Sequence, residues 1–178
     1  MARAFLIDGY NLIHAMVVLG QRVGPGVLEK ARLRLLGLLH QSFGAEASSV
    51  TVVFDAAGAP PGSSAQHEYH GLKIRFALKG QEADDVIEDL IEHDAAPKQL
   101  TVVSNDHRLQ QAARRGKAKV QSCEEFLEWV GRLRRKQKPE SPSGREKKAG
   151  ETPVETARWL EEFKDLDQDL DDINFGFQ

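Results

Sequence analysis

Cysteine is almost absent from this 178-residue chain, with Cys123 the only one. An intramolecular disulfide is excluded, as is a zinc site built from several cysteines. Long apolar runs are also missing. No stretch approaches the ~18 consecutive apolar residues of a membrane span. The opening residues, Met1 to Ile7, are too short for a secretion signal and lead straight into Asp8. No internal repeat is found. These absences point to a soluble, cytoplasmic protein of one domain plus an appendage.

What is present is an ordinary core-forming composition, 40% apolar, with strand-like and helical stretches in alternation. Ala4–Asp8 reads as a buried strand, a short apolar run ending at a polar turn. Residues 27–43 carry apolar side chains at helical spacing, and Gly44 sits where the helix should stop. Val50–Asp55 is a second strand by its β-branched content. The segment 56–65 is rich in glycine, proline and serine and reads as a loop, either one that closes over a substrate or one that is simply disordered. Residues 72–77 form a third strand with one face or edge wet, because Lys73 and Arg75 alternate with apolar residues. A helix over 82–93, a strand over 100–104, a helix over 107–115, a short strand over 118–121 and a helix over 124–136 complete the pattern. Such alternation predicts an α/β fold: a mostly parallel sheet with helices on both faces, in three layers.

Composition then shifts. Residues 138–152 hold prolines, glycines and many charges and read as a flexible linker. Residues 153–178 read as an acidic tail, with a short helix over 154–166 presenting Trp159, Leu160 and Phe163. The formal net charge of −3 divides unevenly, +3 over residues 1–138 and −6 over 139–178. A mildly basic body is compatible with a nucleic-acid partner.

Three strands end in, or just before, an aspartate: Phe5-Leu6-Ile7-Asp8, Val52-Val53-Phe54-Asp55 and Val102-Val103-Ser104-Asn105-Asp106. A single aspartate in such a place commonly caps a turn or helix. In a parallel sheet all three fall on one rim, where open α/β sheets bind ligands. Asp84 joins them from the start of the 82–93 helix. Its spacing aligns it with Ile87 and Ile91, while Asp85 aligns with Glu88, Asp89 and Glu92 toward water. Clustered carboxylates repel unless a cation neutralises them. Oxygen-only ligands suit Mg²⁺ or Mn²⁺, and a bound divalent ion assists phosphodiester hydrolysis. In Asp8-Gly9-Tyr10-Asn11, Gly9 permits a tight turn and Asn11 swings back beside Asp8.

These blocks carry a resemblance. Phe5-Leu6-Ile7-Asp8-Gly9-Tyr10-Asn11-Leu12-Ile13, Val53-Phe54-Asp55-Ala56, Glu82-Ala83-Asp84-Asp85-Val86-Ile87-Glu88 and Val103-Ser104-Asn105-Asp106 resemble the YacP-like NYN domains. That family lies within the PIN-like, FLAP-nuclease-like superfamily. The resemblance covers about residues 3–135, and weakly the tail around Trp159. It implies a PIN-like α/β/α domain over 1–137 and an Mg²⁺- or Mn²⁺-dependent endoribonuclease. Some relatives act on mRNA at the ribosome, which makes RNA, and mRNA at the ribosome, the expected partners. Carried over by position, Asp8 and Asp84 match the key metal-binding acids, Asp106 the acid after the fourth strand, expected as a further metal ligand, and Asn11 the polar residue of the first motif. Asp55 matches the second-strand motif as a further metal or supporting group. The family pattern gives Asp85 no clear role.

RNA must be held before it is cut, and cations supply most sequence-independent affinity. Arg108 stands close to Asp106. Lys73, Arg75 and Lys79 lead toward the acidic rim, and Arg114 and Arg115 form a further basic cluster. Two other readings remain open at this point. One is a non-catalytic RNA- or ribosome-binding module of the same fold. The other is a phosphoryl-accepting regulator using Asp55, although glycine occupies position 9, where a second acid would be needed beside Asp8.

Overall fold

A computed structural model describes residues 3–18, 27–55 and 65–137. The 138–152 linker, the 153–178 tail with its expected helix, and nearly all of the 56–65 loop lie outside the described residues. The elements are β1 (Ala4–Asp8), α1 (Gly9–Val18), α2 (Val27–Phe43), β2 (Val50–Phe54), β3 (Gln66–Tyr69), β4 (Leu72–Phe76), α3 (Ala83–Glu92), β5 (Leu100–Val103), α4 (His107–Arg115), β6 (Lys119–Gln121) and α5 (Cys123–Gln137). The six strands form one sheet in the order β3-β4-β2-β1-β5-β6. All pairings are parallel except β3 with β4. Among the described residues no helix is long and apolar enough to cross a membrane.

The expected α/β class holds, with two elements added. Gly9 begins a helix instead of making a tight turn: β1 runs directly into α1. The glycine answers to space, since a Cβ there would collide with the ring of Phe54. Gly9→Ala is expected to lower stability by roughly 1–3 kcal/mol through overpacking, and to disturb Asp8 and Asn11 on either side. Thermal unfolding checks the first effect and hydrogen exchange at the Asn11 amide the second.

The other addition is β3. The strand predicted over 72–77 is not an edge, because β3 pairs along it in antiparallel register, with Gln66 opposite Arg75 and Tyr69 opposite Leu72. The connecting residues His70 and Gly71 both have positive φ, 48° and 88°. That is the backbone signature of a tight two-residue hairpin whose twist matches its strands.

Side chains alternate across the strands and build two cores. Phe5, Ile7, Val52, Phe54 and Val103 join Leu12, Leu35, Leu39 and Phe126 in the core under α1, α2 and α5. Leu6, Val53 and Val102 join Ile87 and Leu109 in the core under α3 and α4. Complete burial of side chains such as Ile7, Phe54, Ile87 and Phe126 contributes about 1.5–3 kcal/mol each. It also fixes strand register, and with it the position of every residue at the strand ends.

Candidate active site

β1 lies at the centre of the sheet. From it the chain adds β2 and β4 on one side and β5 and β6 on the other. A ligand crevice forms outside the carboxyl ends of the strands where the order reverses in this way. Asp8 is the last residue of β1. The alternation that sends Leu6 and Val53 to the α3/α4 side sends Asp8 and Asp55 there too. On β5, Val102 faces that side and so does Ser104.

Asp8 is only 5% exposed. Its Oδ1 accepts from the Asn11 backbone N–H at 3.1 Å, and its Oδ2 accepts from Asn11 Nδ2 at 2.7 Å. Asn11 does stand beside Asp8, brought there by the first turn of α1. A third donor is the Ser104 hydroxyl, 3.2 Å from Asp8 Oδ2. The same Ser104 Oγ accepts from the Asp106 N–H at 3.0 Å. One fully buried serine thus ties two acids together. Sequence reasoning gave it no role; its only signal was a polar residue closing an apolar strand.

Asp106 caps α4, its Oδ1 accepting from the N–H groups of Arg108 at 2.6 Å and Leu109 at 3.2 Å. Asn105 locks the same loop onto α5, accepting from the Cys123 N–H and donating to Glu124 Oε1, both at 2.9 Å. Asp55 Oδ1 accepts from the Ala83 N–H at 2.8 Å, at the start of α3. That contact makes Asp55 an anchor for the helix carrying Asp84.

Asp84 is half-buried and its carboxyl is pushed up to about 6. Burial is the largest cause, followed by the negative charges of Asp8 and Asp106; Arg108 opposes them without prevailing. Three carboxylates from β1, α3 and the β5–α4 connection therefore share one electrostatic field. Asp85 is exposed, and its hydrogen bond from Arg108 holds its carboxyl below the usual range. Among the described residues no three His, Cys, Asp or Glu side chains are grouped so that they could hold a metal ion by themselves. The donor chemistry, carboxylate oxygens at an open rim, suits an ion that retains waters and takes ligands from substrate phosphates, as Mg²⁺ does.

The basic residues separate. Lys73 and Arg75 alternate with the buried Leu72, Ile74 and Phe76 and occupy the opposite, accessible face of β4. Arg75 pairs with Val53 two residues before Asp55. Lys79 is exposed just beyond the carboxyl end of β4. Arg108 already holds two carboxylates, Glu88 and Asp85. Arg114 and Arg115 do not reach the rim. They close the last turn of α4, about 12 Å along the helix axis from Asp106 at 1.5 Å per residue. Tyr10 packs its ring edge-on against Phe54.

No curated protein matches the sequence. Among solved structures, the chain is similar to a tryptophan-to-leucine mutant of Rae1 (YacP) from Bacillus subtilis, at 28% identity and a TM-score of 0.58, covering 75% of this chain and 78% of that one. A second Rae1 (YacP) structure from the same organism aligns at 24% identity and a TM-score of 0.53, over 93% of this chain and 85% of that one, and supports the fold alone. The model of the YacP-like NYN domain matches residues 5–168. With that match spanning nearly the whole sequence, the chain belongs to the YacP-like NYN domain family, whose fold is nuclease-like.

Proposed function

We propose that the protein is an endoribonuclease that hydrolyses RNA phosphodiester bonds with Mg²⁺ or Mn²⁺, acting on mRNA at the ribosome. One observation carries this reading: Asp8, Asp84 and Asp106, from three separate elements, share one electrostatic field at the switch point of a nuclease-like sheet. Only the position of Asp84 runs against stability, since like charges in a half-buried site oppose folding. Asp8, Asp84 and Asp106 would hold the ion, with Asp55 supporting Asp84 through the start of α3. A divalent ion held there supplies positive charge to the phosphodiester and acidity to an attacking water.

The chain's own groups do the rest. Asn11 and Ser104 keep Asp8 in one orientation. Asp84 is ionised above about 6 and so is available as an anion at neutral pH. Lys73, Arg75 and Lys79 track the RNA backbone along the open face of β4 toward the rim. Arg114 and Arg115, at the far end of α4, serve RNA only where it runs past the site.

The test is incubation of the full chain with structured and unstructured RNAs, with and without Mg²⁺ or Mn²⁺. Cleavage is expected only with metal and should stop on chelation. A Lys73→Glu/Arg75→Glu variant should raise KM and flatten the salt dependence of binding, by about one log–log unit for each phosphate no longer held. Asp8 and Asp106 already accept hydrogen bonds from the protein itself, which favours a second reading, a non-catalytic RNA-binding module. Salt-sensitive RNA binding with no metal-dependent turnover would select it.

A further inference from the structure

We propose that Arg108 is a positioning residue, stapling the first turn of α4 to α3 and so setting the spacing of Asp84 and Asp106. The inference rests on the nuclease reading for its catalytic consequence, and on geometry for the staple. Arg108 Nε and Nη2 meet Glu88 Oε1 and Oε2 at 2.9 and 3.1 Å, and Nη2 also meets Asp85 Oδ1 at 2.8 Å.

A single exposed ion pair holds little in place. This one differs in three respects. The Glu88 contact is bidentate, which adds orientation to attraction. A second carboxylate shares the guanidinium, and Asp85 in turn accepts from the Glu82 N–H through its other oxygen, at 3.4 Å. The staple also joins the two segments where rigidity matters most. Arg108 lies two residues after Asp106, and Asp85 directly follows Asp84. The two acids repel each other, so the helix starts that carry them are pushed apart. A cation bonded across both helices opposes that push without lying between the acids.

The same geometry argues against Arg108 as the ready-made phosphate ligand expected from the sequence. One forking edge of the guanidinium, Nε/Nη2, is already filled by Glu88, and Nη2 is shared with Asp85 as well. Reacting groups misplaced by about 1 Å can lose roughly a hundredfold in rate, so loosening the staple should act on turnover more than on binding.

The experiment compares wild type, Arg108→Gln, Arg108→Lys, Glu88→Gln and the Glu88→Gln/Arg108→Gln double variant at saturating metal. Arg108→Gln and Glu88→Gln should each reduce kcat about tenfold, with KM for RNA held within about twofold. The double variant should be no worse than Arg108→Gln alone, because both remove one shared interaction. Lysine should recover little, since an ammonium cannot fork across two carboxylates. A Glu88→Gln variant that binds RNA more tightly or cleaves faster would overturn the proposal, by showing that Arg108 had been withheld from phosphate. Full recovery by lysine, or an unaffected Glu88→Gln variant, would also overturn it. If wild type cleaves no RNA at all, the nuclease reading falls instead. The staple is then judged by hydrogen exchange at the first-turn amides of α3 and α4, where protection unchanged in Glu88→Gln refutes it.

Discussion

Asp84→Asn is expected to cut RNA cleavage severely and, in the same protein, to raise folding stability at neutral pH. The two effects share one cause. In the folded chain the Asp84 carboxyl sits at about 6, above its ordinary 3.8, because burial and the charges of Asp8 and Asp106 disfavour the anion. A carboxyl whose pKa rises on folding binds its proton more tightly when folded. Ionised Asp84 therefore opposes folding above about 6, and the penalty vanishes once the pH falls below the unfolded value. Asparagine removes the charge. The variant should melt a few degrees higher than wild type at pH 7–8, and the gain should fade between pH 6 and 4. Cleavage should fall by about a hundred- to a thousandfold, the scale of several kcal/mol of metal-assisted stabilisation.

Metal addition sharpens this result. A ligand bound only by the folded state raises its melting temperature. Mn²⁺ should stabilise wild type at pH 7.5 and have much less effect on Asp84→Asn. Because a ligating carboxylate must be ionised, wild-type metal affinity should weaken as pH drops below about 6. Thermal scans across pH, with and without Mn²⁺, check all of this without an activity assay. A variant less stable than wild type at pH 7.5 would show that Asp84 is held by favourable contacts and not by enforced repulsion.

The parts of the fold legible in sequence were those with a clean period. β1, β2 and β5 are apolar runs ending at polar residues, and α3 carries Ile87 and Ile91 on a single buried stripe. α1 escaped because it has no such stripe. Leu12, Ile13, Ala15 and Met16 are all buried, and among its described side chains only His14 is exposed. A helix enclosed on most sides loses the amphipathic signal, and its opening glycine resembles a turn unless Phe54 is known to lie against it. β3 escaped for the opposite reason. Gln66–Tyr69 is short and polar, and exists as a strand through its pairing with β4.

The site divides along the same line. Acids at strand ends are visible because topology alone delivers them to one rim. Ser104 and Asn105 are not, because their roles depend on Asp8, 96 residues earlier, and on α5, 18 residues later. The ion pairs of Arg108 are hidden in the sequence because its partners, Asp85 and Glu88, lie on another helix. Charge clustering at Arg114 and Arg115 is visible in the sequence, but it does not say which end of α4 faces the acids.

Asp8→Asn should lose activity as fully as Asp84→Asn while moving stability the other way. Asp8 is buried and takes three hydrogen bonds, from the Asn11 N–H, Asn11 Nδ2 and the Ser104 hydroxyl. Each donor needs an acceptor. An asparagine at this position offers one oxygen and turns an NH₂ toward at least one N–H or O–H group. A buried donor facing a donor costs about 1–3 kcal/mol, so Asp8→Asn should melt several degrees below wild type at pH 7–8. Adding Asn11→Asp restores a carboxylate–amide pair in reversed order. That double variant should recover part of the lost stability and none of the cleavage, because the negative charge then sits on α1 and not at the end of β1. Recovery of both would mean that the chemistry needs only a carboxylate somewhere in the pair. Recovery of neither would mean that the Asp8–Asn11 contact contributes little, and that Ser104 alone orients the acid.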